Sequence, residues 1–149
     1  MSEKVNASEA LGPERQQLLA EIADVMIPAG DPGGMPSGSE GGVQDAGLQA
    51  VMNARPDLLD PLLAALDAVA GKDGAAAVEA LRANPAHWGI ITQVVSAAYF
   101  LVPETARKLG YPGQEVRPVE NERVDPNDPL IESVRARGPI YRPTVTDAS

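Results

Sequence analysis

The residues best equipped for chemistry are few. His87 is the only histidine, and a lone imidazole serves as a general base only when a nucleophile or substrate site lies beside it. No such neighbour is evident along the chain. His87, one residue before the only tryptophan, therefore reads first as a helix-start residue that packs or makes a hydrogen bond. Ser37 and Ser39 lie in a glycine-rich stretch, but there is no G-x-S-x-G elbow and a triad would have to borrow His87. Ser96, inside an apolar run, reads as a side chain bonded to backbone. With no cysteine, thiolate metal sites and disulfides are both excluded. Carboxylates remain, and their spacing matches no calcium loop; Asp57, Asp60 and Asp67 read as helix caps and a solvated face. The glycine-rich stretch lacks both G-x-G-x-x-G and G-x-x-x-x-G-K-[ST], no strand precedes it, and Asp31 and Glu40 would oppose phosphate. No catalytic, cofactor-binding or metal-ligating residue is expected in this chain.

The elements that would position any site are helices. Alanine, leucine and valine dominate the apolar residues and aromatics make up only 3%, a balance that favours helix over sheet. Residues 1–12 are polar and read as a flexible arm. From Pro13, Leu18, Leu19, Ile22, Val25 and Met26 form one apolar stripe that Pro28 ends. Residues 29–42 hold six glycines and two prolines, a density no helix or strand survives; this is expected to be a flexible or partner-docked loop. Helical patterns resume over 43–54, from Asp57 or Asp60 to Gly71, and over 74–83 behind Asp73 as cap. Residues 87–102 are apolar on nearly every side, which predicts a helix buried all round, either central in the core or covered by another chain. Residues 103–109 add one or two turns, with Gly110 as C-terminal cap. The fold class is thus all-α: a small irregular helical domain over 13–110, a long glycine-rich loop, and a tail over 111–149.

That tail holds six prolines, five arginines and seven acids around isolated apolar residues. It cannot build a core. Only residues 128–137 could form a short helix, with Asp128 as cap. Composition alone reads as a solvated disordered tail, yet large apolar residues between prolines suit a segment that folds on a partner. Extended, it would reach about 130 Å. The net charge of −9 argues against nucleic acid, whose phosphates require a basic patch, and against anionic membrane surfaces. The longest apolar stretch is too short and too polar to span a bilayer, so no direct membrane insertion is expected. The N-terminal residues show no apolar export core and no twin-arginine pair, and the expected compartment is the cytoplasm.

Short motifs in a fixed order carry a resemblance. Ala23-Asp24-Val25-Met26-Ile27-Pro28 closes the first helix, Asp31-Pro32-Gly33-Gly34 follows, a helix resumes at Gly42-Val43, and Tyr99-Phe100 leads to Leu109-Gly110-Tyr111-Pro112-Gly113. Over roughly residues 14–115 this order resembles the gluconate 2-dehydrogenase subunit 3 family. The resemblance implies a non-catalytic small subunit that stabilises its partner. Its partner would be a large flavoprotein of the glucose-methanol-choline oxidoreductase type that holds FAD and the catalytic histidine, so FAD is expected in the partner and no cofactor here. Some members of that family escort an exported partner or work with a cytochrome. The missing twin-arginine pair and the missing C-x-x-C-H motif point instead to a cytoplasmic hetero-oligomer acting on an alcohol or sugar hydroxyl.

Aromatic and arginine side chains are enriched among interface anchors. The residues expected to touch the large subunit are Trp88, Tyr99 and Phe100 on the apolar helix, Tyr111, Pro112 and Gly113 at its exit, and Tyr141 with Arg142 in the tail. For Trp88 and Phe100 the competing expectation is plain intramolecular core. Two other functions compete: a stand-alone helical adaptor or chaperone-like binding protein, and a small enzyme using His87.

Overall fold

The computed structural model describes residues 6–30, 33–113 and 129–139. They are all-α, with no strand among them. Two compact units divide the chain, residues 1–113 and 114–149. The first contains α1 (Ala7–Met26), α2 (Leu48–Ala54), α3 (Leu59–Asp67), α4 (Gly74–Arg82), α5 (Pro85–Leu101) and α6 (Pro103–Lys108). The second contributes α7 (Pro129–Arg137), where the sequence pattern places a short helix; its expected cap, Asp128, lies outside the described residues.

The expected flexible arm is not observed over residues 7–12, which are helical, with Ala7 and Leu11 fully buried. Asn6 caps this start by accepting the Glu9 N–H, and the Ala7 N–H donates to Gln49 Oε1 at 3.0 Å. The chain then breaks at Gly12, whose φ of 73° lies in the left-handed region. Pro13 restarts the helix, as its fixed φ and missing N–H allow. The freed Leu11 carbonyl accepts from Arg15, whose guanidinium also holds Asp67 at 2.6 Å. Composition hid this segment because two apolar residues, Ala7 and Leu11, suffice to bury one side of so short a helix.

α5 is the central helix. Ile91, Val94, Val95, Ala98 and Tyr99 are buried against α2, α3 and α4 of the same chain. It is therefore not covered all round: Gly89, Gln93, Ser96 and Phe100 recur at four- and three-residue spacing and form one exposed stripe. Asn84 caps α5 by accepting the Ala86 and His87 N–H groups, with Pro85 in the first turn. The helix stops at Val102, held extended at ψ 122°, because the residue before a proline is pushed out of the helical region. Residues 103–108 are consequently a separate helix and not a continuation. Val43–Gly47 departs from the expected α-helix in a similar way, forming one wide π-turn before α2. Gly47 there lies directly against the Ala98 carbonyl, leaving no room for a Cβ.

Candidate functional site

The glycine-rich loop, expected to be flexible or docked on a partner, is fastened to its own chain. Gly30 and Met35 exchange backbone hydrogen bonds at 3.1 and 3.0 Å, an isolated antiparallel bridge. Asp24 on α1 then accepts both the N–H and the hydroxyl of Ser39, each at 2.7 Å. Ser37 and Glu40 bond reciprocally, Glu40 accepting the Ser37 N–H and the Ser37 hydroxyl accepting the Glu40 N–H, the pairing of a capping box. The Tyr99 hydroxyl donates to the Pro36 carbonyl at 2.7 Å. Glycine is needed where the backbones meet: a Cβ on Gly41 would stand 2.7 Å from the Tyr99 ring. Burial pushes the Asp24 carboxyl up, but the bonds from Ser39 and Ser37 outweigh it and hold it below the usual carboxylate range.

Between this loop and α6 lies an open cavity of about 580 Å³, lined on one side by Met35, Pro36 and Glu40 and on the other by Val102, Glu104, Thr105 and Lys108. Thr105 is 1% exposed, and among the described residues its hydroxyl has no hydrogen-bond partner. A second cavity, about 480 Å³, lies beside the Gly12 break and is lined in part by the Arg15–Asp67 pair.

Four large apolar side chains at the ends of α5 and α6 are exposed. Phe100 and Leu101 at the end of α5 and Leu109 and Tyr111 after α6 are each more than half exposed. At Tyr111 the backbone is held by a helix cap. Gly110, at φ 71°, lets the Gly110 N–H reach the Arg107 carbonyl and the Tyr111 N–H reach the Ala106 carbonyl, both at 3.0 Å. That double bond pattern is a Schellman motif. It ends α6, and Tyr111 projects from it at 59% exposure. The order Leu109-Gly110-Tyr111-Pro112 thus has a mechanical reading: a left-handed cap, an outward aromatic and a proline that prevents further helix.

The residues expected at an interface separate accordingly. Phe100, Tyr111, Pro112 and Gly113 are exposed. Tyr99 is buried, a core residue whose ring meets Phe100 edge-on at 5.4 Å and whose hydroxyl fixes the loop; the outward anchor role expected for it does not hold. Trp88 is half-buried against the core, with the Arg82 guanidinium 5.2 Å from its ring centre. Tyr141 and Arg142 lie outside the described residues. Leu101 and Leu109 were missed, being ordinary leucines in a helical pattern; the proline after Val102 and the glycine after Leu109 were the signals that both sit at helix ends.

His87 is half-buried, and its backbone N–H takes the Asn84 cap; among the described residues its ring makes no hydrogen bond or ion pair. Among the described residues no group of three or more histidine, aspartate or glutamate side chains could hold a metal ion, and no helix is long and apolar enough to cross a membrane. In comparisons with family models, curated proteins and solved structures, nothing matches the chain.

Proposed function

We propose that this chain is a non-catalytic small subunit of an FAD-dependent oxidoreductase acting on an alcohol or sugar hydroxyl, and that it grips the large flavoprotein through the apolar end of α5 and α6. The exposure of four large apolar side chains, Phe100 and Leu101 at the end of α5 and Leu109 and Tyr111 after α6, carries the reading, since exposed apolar surface marks interaction sites when a partner covers it. It gains support from place: the exposed aromatics stand within the Tyr99-Phe100 and Leu109-Gly110-Tyr111-Pro112-Gly113 motifs on which the family resemblance rests. FAD and the reacting groups belong to the partner, in the cytoplasm.

A second reading, a stand-alone helical adaptor, is favoured by one observation: α5 is shielded by helices of its own chain, so residues 1–113 have a core without help. The two are separated by purifying the tagged chain from its native host and scanning its companions for flavin absorbance. A larger yellow companion in constant ratio supports the subunit. A colourless protein that migrates alone and melts sharply supports the adaptor and overturns the subunit.

A further inference from the structure

The last turn of α5 is the weak point of that helix by its own chemistry. The final carbonyls of a helix have no intrahelical partner, and Pro103, just past the end of α5, brings no N–H to satisfy one. A helix end held by nothing else opens locally at little cost. This turn carries Phe100 and Leu101, both more than half exposed. Its other side is backed by the chain from Pro36 to Gly47. The Tyr99 hydroxyl donates to the Pro36 carbonyl, a Cβ on Gly41 would strike the Tyr99 ring, and one on Gly47 would strike the Ala98 carbonyl. Gly42 lies beside the Val102 side chain. Ala98 and Tyr99, so covered, are buried. The same segment is seated on α1: the Gly38 N–H donates to the Ile27 carbonyl at 2.9 Å, and Asp24 holds Ser39 by two bonds.

We propose that the glycine-rich loop is a splint for the docking end of α5, with Asp24, Ser39 and Tyr99 as positioning residues for Phe100. Tyr99 transmits the hold. Its hydroxyl is bonded into the loop, and its ring meets Phe100 edge-on at 5.4 Å, an arrangement that aromatic pairs favour. The consequence for docking rests on the subunit reading above: an anchor already held in one pose loses less freedom on binding than one on a fraying turn. Loop fastening and docking are therefore coupled, and by linkage each strengthens the other. The glycines serve this purpose by letting one backbone come close enough to another to clamp it.

Phe100 is the only phenylalanine, so para-fluorophenylalanine incorporated into the full chain gives a single fluorine NMR resonance that reports its setting without any partner. In buffer without denaturant, Ser39→Ala and Asp24→Asn should each move that resonance toward the position of the free amino acid and narrow it. A role confined to overall stability would not move it. Asp57→Asn, which breaks the Arg55 pair outside the loop, should leave it in place. Should Asp24→Asn fail to fold, Ser39→Ala decides, since it keeps the backbone N–H that Asp24 accepts. An unmoved resonance in the folded loop variants, or an equal displacement in Asp57→Asn, would overturn the splint. Ser39→Ala should also hold the flavoprotein about fivefold more weakly than the wild-type chain. If the wild-type chain brings down a flavoprotein while the resonance never moves, the subunit reading stands and the splint falls. If the resonance moves as expected and no flavoprotein is found, the splint stands and that reading falls.

Discussion

Asp24 shows how a single side chain determines whether the loop is a loop or a platform. It holds Ser39 by two short hydrogen bonds, and those bonds depend on its negative charge. Its pKa is depressed in the folded state, so its contribution is present above the ordinary carboxylate range and is lost as pH falls through the folded value. Hydrogen bonds from Arg55 and Arg15 lower Asp57 and Asp67 in the same direction, so all three are lost in the same acid window. Asp24→Asn should lower stability by about 1.5 kcal/mol at neutral pH and make the fall below about pH 4 shallower without removing it; urea unfolding across pH would show both. Gly47 makes an opposite point. By helix propensity alone Gly47→Ala should stabilise, yet a Cβ there would strike the Ala98 backbone. A loss of about 1–3 kcal/mol is expected instead, read from the urea midpoint.

Among the elements, α5 joins the core to the surface, and its two sides should respond differently to truncation. Ile91 is fully buried, so Ile91→Ala should cost about 2–5 kcal/mol. Phe100 is 58% exposed, so Phe100→Ser should shift stability by no more than about 0.5 kcal/mol; thermal melts of the two variants would separate these outcomes. Only part of the capping and punctuation was legible in the sequence: Asn6 and Asn84, which cap α1 and α5, were not read as caps, and Asp57 and Asp60, read as caps, leave the start of α3 without a side-chain cap. Asp73 accepts the Ala76 N–H at 2.9 Å, as a cap should, Pro13 opens a helix, and Gly110 closes one. What resisted reading was nonlocal. Nothing in the run from His87 to Val102 says which of its apolar side chains will be covered, because the exposed stripe is defined by where α2, α3 and α4 happen to pack. The loop misled for the same reason: glycine density signals an absence of regular structure, and only Tyr99, 63 residues away from Pro36, reveals that the glycines admit a close approach. Ser37 and Glu40 were a readable clue, a serine followed three residues later by glutamate. Tyr99 itself read as an anchor because aromatic type was weighed without knowing its side of the helix.

At the scale of the unit spanning residues 1–113, the core is closed by its own helices, while Phe100 and Leu101 just before α6 and Leu109 and Tyr111 just after it stay exposed. This division separates folding from docking. Substitutions at those four positions should change what the chain carries with it and leave its own stability nearly untouched. The most direct measurement is flavin absorbance per chain in material purified from the native host, comparing the wild-type protein with the doubly substituted Phe100→Ser, Tyr111→Ser protein. A yellow wild-type complex and a colourless, equally stable double variant are expected. Flavin retained by the double variant at the wild-type level, or absent from the wild-type protein itself, would contradict the account.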